Sequence, residues 1–378
     1  MKSSAFAVAA ILLSVSASAA TCTYTDGVWD LAPAENDDIV ISSGDLTWDE
    51  NLPLKVGSWT QAESYNGTVT FDTGLETFFV TGDVSFSGGT WTHQKNPEFS
   101  KTDEGWISGR GTKQLIVSVG GNMTISAAAK IDVTGCGFYN GDGPGSSSLH
   151  SSEGSGGSAH GGSSVTAKSP YRSSPCYGSA RCPVTIGSGG LGNSVYGSCG
   201  GGAVRLTVAG CLTNDGFIYS CGGAIHPITK SANGYYAGSG GSVYITAGNI
   251  AGAGKINVDG GDVVNYCPGG GGRIAVHLTG QNASFEDCQW EMTAYSGKYA
   301  QSWYYPAFPG TIYLETAADD GKGVLICRDI DRSPTAILSY SNTNLAMERV
   351  CPLTCSGVGL TSNSGASCHP FRSRRRKP

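Results

Sequence analysis

The stretch GGGAVRLTVAG, Gly200 to Gly210, opens on three glycines and then alternates apolar with polar or small residues, and GSGGSVYITAG, Gly238 to Gly248, repeats the device. Glycines running into a chain of this kind have two readings. A phosphate-cradling loop needs its glycines at a helix N-terminus, where free backbone N–H groups and the helix dipole meet the anion. Here the glycines run directly into period-two alternation, which is the pattern of a strand. A nucleotide site is therefore excluded, and the glycines read as the restart of a repeating β coil.

Aligning Gly201 with Gly240 sets one repeat 39 residues after the other (240 − 201) with a single deletion. Leu212 then meets Ile250, Gly216 meets Gly254, Ile218 meets Ile256 and Gly222 meets Gly260. An earlier copy, QLIVSVGGNMTISAAAKIDVTGCG, puts Val119, Met123 and Ile131 in the apolar slots, and a later one restarts at GGGGRIAVHLTG from Gly269. Strands this short cannot bury an apolar face alone, whereas stacked copies share one core, so a fixed period implies a solenoid. Half the period, roughly twenty residues, suits one coil of a parallel β-helix, with glycines at corners where the coil turns tightly and neighbouring backbones approach closely. The expected fold is all-β, a right-handed parallel β-helix; the hand comes from the usual right-handed parallel crossover.

Four divisions follow along the chain. Residues 1–19, with Lys2, an apolar run from about Ala5 to Val15 and the small residues Ala17, Ser18 and Ala19, read as a signal peptide, the run being too short to span a bilayer. Residues 20–110 keep the strand pattern and add Trp48, Trp59 and Trp91, read as core or cap residues in preference to a sugar-stacking stripe. Residues 111–332 form the glycine-rich solenoid, interrupted at 139–198 by a glycine- and serine-rich insertion expected to loop out from one face and carrying His150, His160, Glu153 and Asp142. Residues 333–378 lose the glycine beat and become rich in cysteine and arginine, as in a truncated or frame-shifted end.

Composition limits the function classes. Glycine supplies 57 of 378 residues, about twice the usual share of roughly 7%, yet strand-like triplets recur between the glycines, so the chain is a turn-dense β protein rather than a disordered one. Setting aside Arg372, Arg374, Arg375, Arg376 and Lys377 leaves 19 basic residues (24 − 5) against 30 acidic ones, a body that repels nucleic acid. The basic tail reads as a solvated run. No further stretch is apolar enough for a membrane span. Thirteen cysteines in an exported chain permit disulfides and leave an odd one. Cys351 with Cys355, and Cys176 with Cys182, lack the companions of a metal site.

Catalytic motifs are incomplete. Polysaccharide lyases and polygalacturonases use parallel β-helices with carboxylates on an outer face. This chain offers Asp37-Asp38 before a strand, Asp319-Asp320 near the end, His160 in SAHGG and an arginine in GRIAV, but no full constellation. Asp132, Asp215 and Asp259 recur near strand ends and could form a calcium ladder, although Asp also favours turns for its own hydrogen bonding. GxSxG is not met at Gly154 to Gly157. The sequons at Asn66, Asn122 and Asn282 matter only in a host that glycosylates them, and in a bacterial chain they are chance.

The segments DLTWDENLPLKVGSWTQ, VTGDVSFSGGTWTH, VGGNMTISAAAKIDVTG, CYGSARCPVTIGSGG, GGGAVRLTVAGCLTNDGFI, GSGGSVYITAGNIAGAGKINVDGG, GGGGRIAVHLTG and PGTIYLETAADDGKG resemble those of large secreted glycine-rich β-solenoid proteins of bacteria, adhesin-like and autotransporter-passenger-like. The resemblance spans roughly Asp45 to Gly323 and implies an exported surface or matrix protein, with glycans or neighbouring cell surfaces as partners. It carries no catalytic residue, cofactor or metal. The competing expectation is a polysaccharide-active lyase or hydrolase with dispersed carboxylates.

Overall fold

In the computed structural model the described residues are 19–100, 102–146, 156–166, 169–191, 198–223, 236–263, 267–286, 288–298, 307–328 and 336–339. The all-β expectation holds. Twenty strands belong to one mixed sheet, and the described helical structure is a five-residue helix at Glu104–Ser108 and a 3-10 turn at Ala317–Asp319. Within that sheet pairing is parallel except at its two ends, where Thr21–Thr25 meets Val28–Trp29 and where Thr311–Thr316, Val324–Cys327 and Ala336–Ser339 run antiparallel.

Three parallel ladders carry the core, each a column of apolar side chains one rung apart. The first runs Phe78, Val117, Leu206, Ile245, Val276 and Leu314. The second runs Ile39, Trp59, Val84, Met123, Leu212 and Ile250. The third runs Leu46, Val69, Trp91, Ile131, Ile218, Ile256 and Met292. Because side chains alternate across a strand, register keeps each column on the buried face, and one slipped residue would turn it outward. Leu212 pairs with Ile250 and Ile218 with Ile256, and Val119, Met123 and Ile131 pair with Val208, Leu212 and Ile218, as the sequence alignment placed them.

Rung length changes along the chain. From Ile39 to Trp59 a rung takes 20 residues (59 − 39), the coil length read from the sequence. From Leu206 to Ile245 it takes 39 (245 − 206), so in the glycine-rich part the whole repeat, not half of it, makes one rung. The short rungs enclose a core of large rings. Trp48, Trp59, Trp91, Phe71, Phe78 and Phe86 are fully buried, and Phe86 stacks on Trp91 with ring centroids 4.7 Å apart. Inside this cluster the Gln61 Oε1 accepts both indole N–H groups, from Trp59 at 3.1 Å and Trp91 at 3.0 Å, while its Nε2 donates to the Gly88 carbonyl. Burial removes Trp48, Trp59 and Trp91 from any sugar-stacking surface.

The longer rungs detour through glycine. Between the third and first ladders the chain passes segments such as 198–202, 236–241, 267–272 and 307–310, which are not strands yet are almost wholly buried. They bond to one another from rung to rung, Gly201 N to Ser239 O, Gly240 N to Gly270 O and Gly271 N to Phe308 O. They also bond sideways, Gly241 N to Ser220 O, Gly272 N to Val258 O and Gly310 N to Ala294 O. The result is a net of backbone hydrogen bonds in two directions, with no side chain between the chains. A Cβ added at Gly187 would lie 2.5 Å from the Ser239 carbonyl oxygen, and at Gly240, Gly271 and Gly310 it would run into the backbone of Val258, Ala294 and Gly272. None of these four glycines has positive φ. Of the two demands the sequence placed at the corners, close approach is the one these glycines meet, with no left-handed turn.

Two stretches of the 139–198 insertion belong to this net, while Arg181 and Cys182 are exposed on the outside. Residues 156–164 and 186–190 are buried, Gly162 donates to the Gly271 carbonyl, and Gly187 donates to that of Gly201. Buried serines supply hydrogen bonds that glycine cannot, as in Ser158 Oγ to Ser188 O at 2.7 Å and Ser242 Oγ to Thr185 O at 2.7 Å. A low apolar content thus marks a backbone-packed layer here.

Replacing Gly240 or Gly271 by alanine is expected to destabilise the protein by about 3 kcal/mol or more, the upper range for overpacking. Gly135→Ala, where the added Cβ meets open space but φ is +67°, is expected to cost only about 1 kcal/mol. Urea unfolding midpoints check both; equal losses at the two kinds of position would contradict the packing account.

Candidate functional site

Two polar clusters lie against the segment 176–184. The inner one surrounds Arg273, the residue that follows Gly272 and opens the strand Arg273–Leu278, which places its side chain within the glycine net, fully buried. Its Nε donates to the Tyr177 carbonyl at 2.9 Å, Nη1 to the Thr311 hydroxyl at 3.1 Å and Nη2 to the His160 carbonyl at 3.4 Å. No carboxylate pairs with it among the described residues, and burial lowers the pKa of its guanidinium. A guanidinium held only by neutral acceptors ties three chain segments together.

His160, the conspicuous histidine of the insertion, is equally buried. Its Nδ1 lies 2.8 Å from the Gly240 carbonyl and its Nε2 lies 2.7 Å from the Thr185 hydroxyl, so Nδ1 carries the proton and Nε2 accepts. Burial, and then the Arg273 cation, push its pKa down to about 3. His93 repeats the arrangement, with Nδ1 on the Gln94 carbonyl and Nε2 facing the Ala203 amide, and burial lowers it to about 4. Neither ring is placed to exchange protons with solvent.

The outer cluster forms on the solvent side of the first ladder. Register sets Arg205, Tyr244, Ala275 and Tyr313 in one column, and Thr207, Thr246, His277 and Glu315 in the next. Arg205 lies over the Tyr244 ring at 5.6 Å, Tyr244 meets His277 edge-on at 5.4 Å, and His277 meets Tyr313 at 5.5 Å. Across these rings the strap 176–184 is pinned by Arg181, whose Nε and Nη2 grip both oxygens of Glu315 at 2.9 and 2.8 Å. Tyr313 donates its hydroxyl to Glu315 at 2.7 Å and the Gly321 amide donates at 3.0 Å. His277 places Nε2 2.8 Å from the Arg181 carbonyl and Nδ1 3.4 Å from Glu315. Burial raises the Glu315 pKa, but the Tyr313 hydroxyl and the Arg181 guanidinium outweigh it and hold the carboxyl below its ordinary value. Sequence reasoning missed this cluster because Arg181, His277 and Glu315 belong to no motif; the 39-residue alignment, extended outward from the apolar columns, was the signal that could have found the column.

The residues singled out for chemistry are spread apart. Asp215 Oδ1 accepts the Ala253 amide at 2.9 Å and Asp259 Oδ1 the Tyr295 amide at 2.6 Å, each one rung away, while Asp132 accepts the nearby Thr134 amide at 3.1 Å. Each of the three thus spends a carboxylate oxygen on a backbone amide, the turn role that the sequence also allowed. Asp37 accepts the Ala20 and Ala34 amides, which lower its pKa, and Asp38 accepts the Ser58 hydroxyl. Asp319 closes the capping box of its own turn, and Asp320 is the left-handed residue that ends it. Asp142 accepts the Phe99 amide at 3.2 Å. His150, Glu153, Cys351, Cys355 and the basic tail lie outside the described residues.

Among the described residues no three of His, Cys, Asp and Glu come together as a group able to hold a metal. Nine cysteines, Cys22, Cys136, Cys176, Cys182, Cys199, Cys211, Cys221, Cys267 and Cys288, carry free thiols, and burial pushes Cys136 and Cys176 up to about 11 and Cys221 and Cys267 up to about 12. Thiols shifted this way are poor nucleophiles. No described helix is long and apolar enough to cross a membrane. No family model, curated protein or solved structure matches the chain.

Two pH effects follow. Unfolding restores the buried histidines to about 6.5, so below that value the unfolded chain binds protons that the native one refuses. Stability is expected to be full above pH 6.5 and to fall from there toward pH 4, by up to about 1.4 kcal/mol per pH unit for each histidine, in urea midpoints measured across that range. A flat profile would contradict the neutral buried rings. The Arg181–Glu315 clasp has the carboxylate sign: it holds above the ordinary value of 4.5 and is lost as pH falls through the lower folded value. Glu315→Gln is expected to weaken it at neutral pH by about 1 kcal/mol, seen as faster amide exchange at Arg181 and Cys182.

Proposed function

We propose that the three ladders are the faces of a right-handed parallel β-helix, exported from the cell and acting as a surface or extracellular-matrix scaffold. The observation that carries this reading is where the polar side chains are spent. Asp83 accepts the Asn122 amide, Asn122 accepts the Cys211 amide, and Asp215, Asp259 and Asp262 accept the amides of Ala253, Tyr295 and Lys298, each from the next rung. Polar groups at successive corners thus staple rung to rung, which serves a rigid rod. The long parallel register supports the helix, because each rung covers the hydrogen-bonding edge of the one before it.

The faces of such a rod, and not a cleft, would meet glycans or a neighbouring cell, in keeping with the resemblance to secreted glycine-rich solenoids. A polysaccharide-active enzyme is the rival, and the two differ in one readout. A glycan array run in parallel with reducing-end assays on the purified mature chain is expected to show binding without release of sugar. Release from any polymer would overturn the scaffold reading.

A further inference from the structure

The three sequons are unlike one another in the fold. Asn66-Gly-Thr68 lies at the turn between the strands Trp59–Gln61 and Thr68–Phe71, the corner that later rungs fill with Gly88 and Gly216. Asn66 is exposed, while the chain on either side is fixed: the Tyr65 amide bonds to Ala62 and the Thr68 amide to Asp45. Asn282-Ala-Ser284 lies in the turn after the strand Arg273–Leu278, with Asn282 exposed and the Ala283 amide bonded to Gly280. Neither carboxamide is held by a hydrogen bond.

Asn122-Met-Thr124 is also at the surface, but its carboxamide has a structural task. Its Oδ1 accepts the Cys211 amide at 2.9 Å, and Gly210 packs so closely that a Cβ there would lie 3.2 Å from the Asn122 Cγ. We propose that Asn66 and Asn282 are N-glycan acceptors on the exported chain, and that Asn122 is a rung staple that stays unmodified. The proposal rests on the export reading above.

The co-reactant is a polyprenyl diphosphate-linked oligosaccharide on the far side of the export membrane. The asparagine Nδ2 attacks the first sugar carbon, the bond from that carbon to the phosphate oxygen breaks, polyprenyl diphosphate leaves, and Nδ2 gives up one proton as the C–N bond forms. Thr68 and Ser284 supply the hydroxyl two residues on that such transfer requires. An added glycan at either turn extends into solvent and disturbs neither a ladder nor the glycine net.

The test uses the full chain with its own leader, expressed in a eukaryotic cell that N-glycosylates secreted proteins, with medium and lysate assayed separately. Peptide N-glycosidase is expected to lower the mass of the secreted chain by two glycans and to convert Asn66 and Asn282, but not Asn122, to aspartate. Asn66→Gln and Asn282→Gln should each remove one glycan, and Asn122→Gln none; peptide mapping of the unsubstituted chain gives the same answer if a variant fails to fold. A secreted chain bare at Asn66 and Asn282, or occupied equally at Asn122, overturns this proposal alone. A chain kept unmodified in the cytosol overturns the export reading with it.

Discussion

The structure depends on backbone meeting backbone without side chains between. At Gly201, Gly240 and Gly271 the amide of one glycine segment reaches the carbonyl of the next, and a single methyl group at these sites would strike main-chain atoms. Glycine is the most expensive residue to order, since it loses more backbone freedom on folding than any other. A net made of it cannot hold itself by burial of apolar surface. The ladders do that work: the columns from Phe78 to Leu314 and from Leu46 to Met292 fix the rungs in register, and the glycine net is aligned as a consequence. Buried polar groups then complete it, with Arg273, His160 and the serines supplying donors where the backbone alone leaves carbonyls unmatched.

The ladders were legible because their signal is a period in apolar residues. Leu212 with Ile250 and Ile218 with Ile256 could be paired by alignment alone, and so could Val119, Met123 and Ile131 with the copy that follows. The glycine net was not legible in the same way. Glycine is favoured both where the chain must turn and where it must be approached closely, and composition does not separate the two. The same ambiguity made the 139–198 segment read as an extruded loop, although its stretches 156–164, His160 among them, and 186–190 lie inside. The outer cluster was hidden for another reason: Arg181 and Glu315 are distant in sequence and meet only because register places Glu315 one rung from His277 and the strap lies across both.

A division of labour follows for the side chains. In the short N-terminal rungs, tryptophan and phenylalanine fill the core and Gln61 satisfies two indoles at once. In the long rungs the extra chain length is taken up by glycine, so the core needs no large rings. At the corners, aspartate and asparagine side-chain oxygens accept amides of the next rung. The outward faces carry the strap clasped by Arg181 and ion pairs such as Lys255–Glu291 between rungs, and these are the surfaces a scaffold would present.

Amide hydrogen exchange of the native protein, resolved residue by residue, tests the central claim most directly. If the glycine segments are a second, backbone-packed core, the amides of Gly201, Gly240, Gly241, Gly271, Gly272 and Gly310 exchange as slowly as those of the ladder strand Ala203–Asn214. Exchange of these glycines at the rate of an open loop, with the ladder amides still protected, would contradict it.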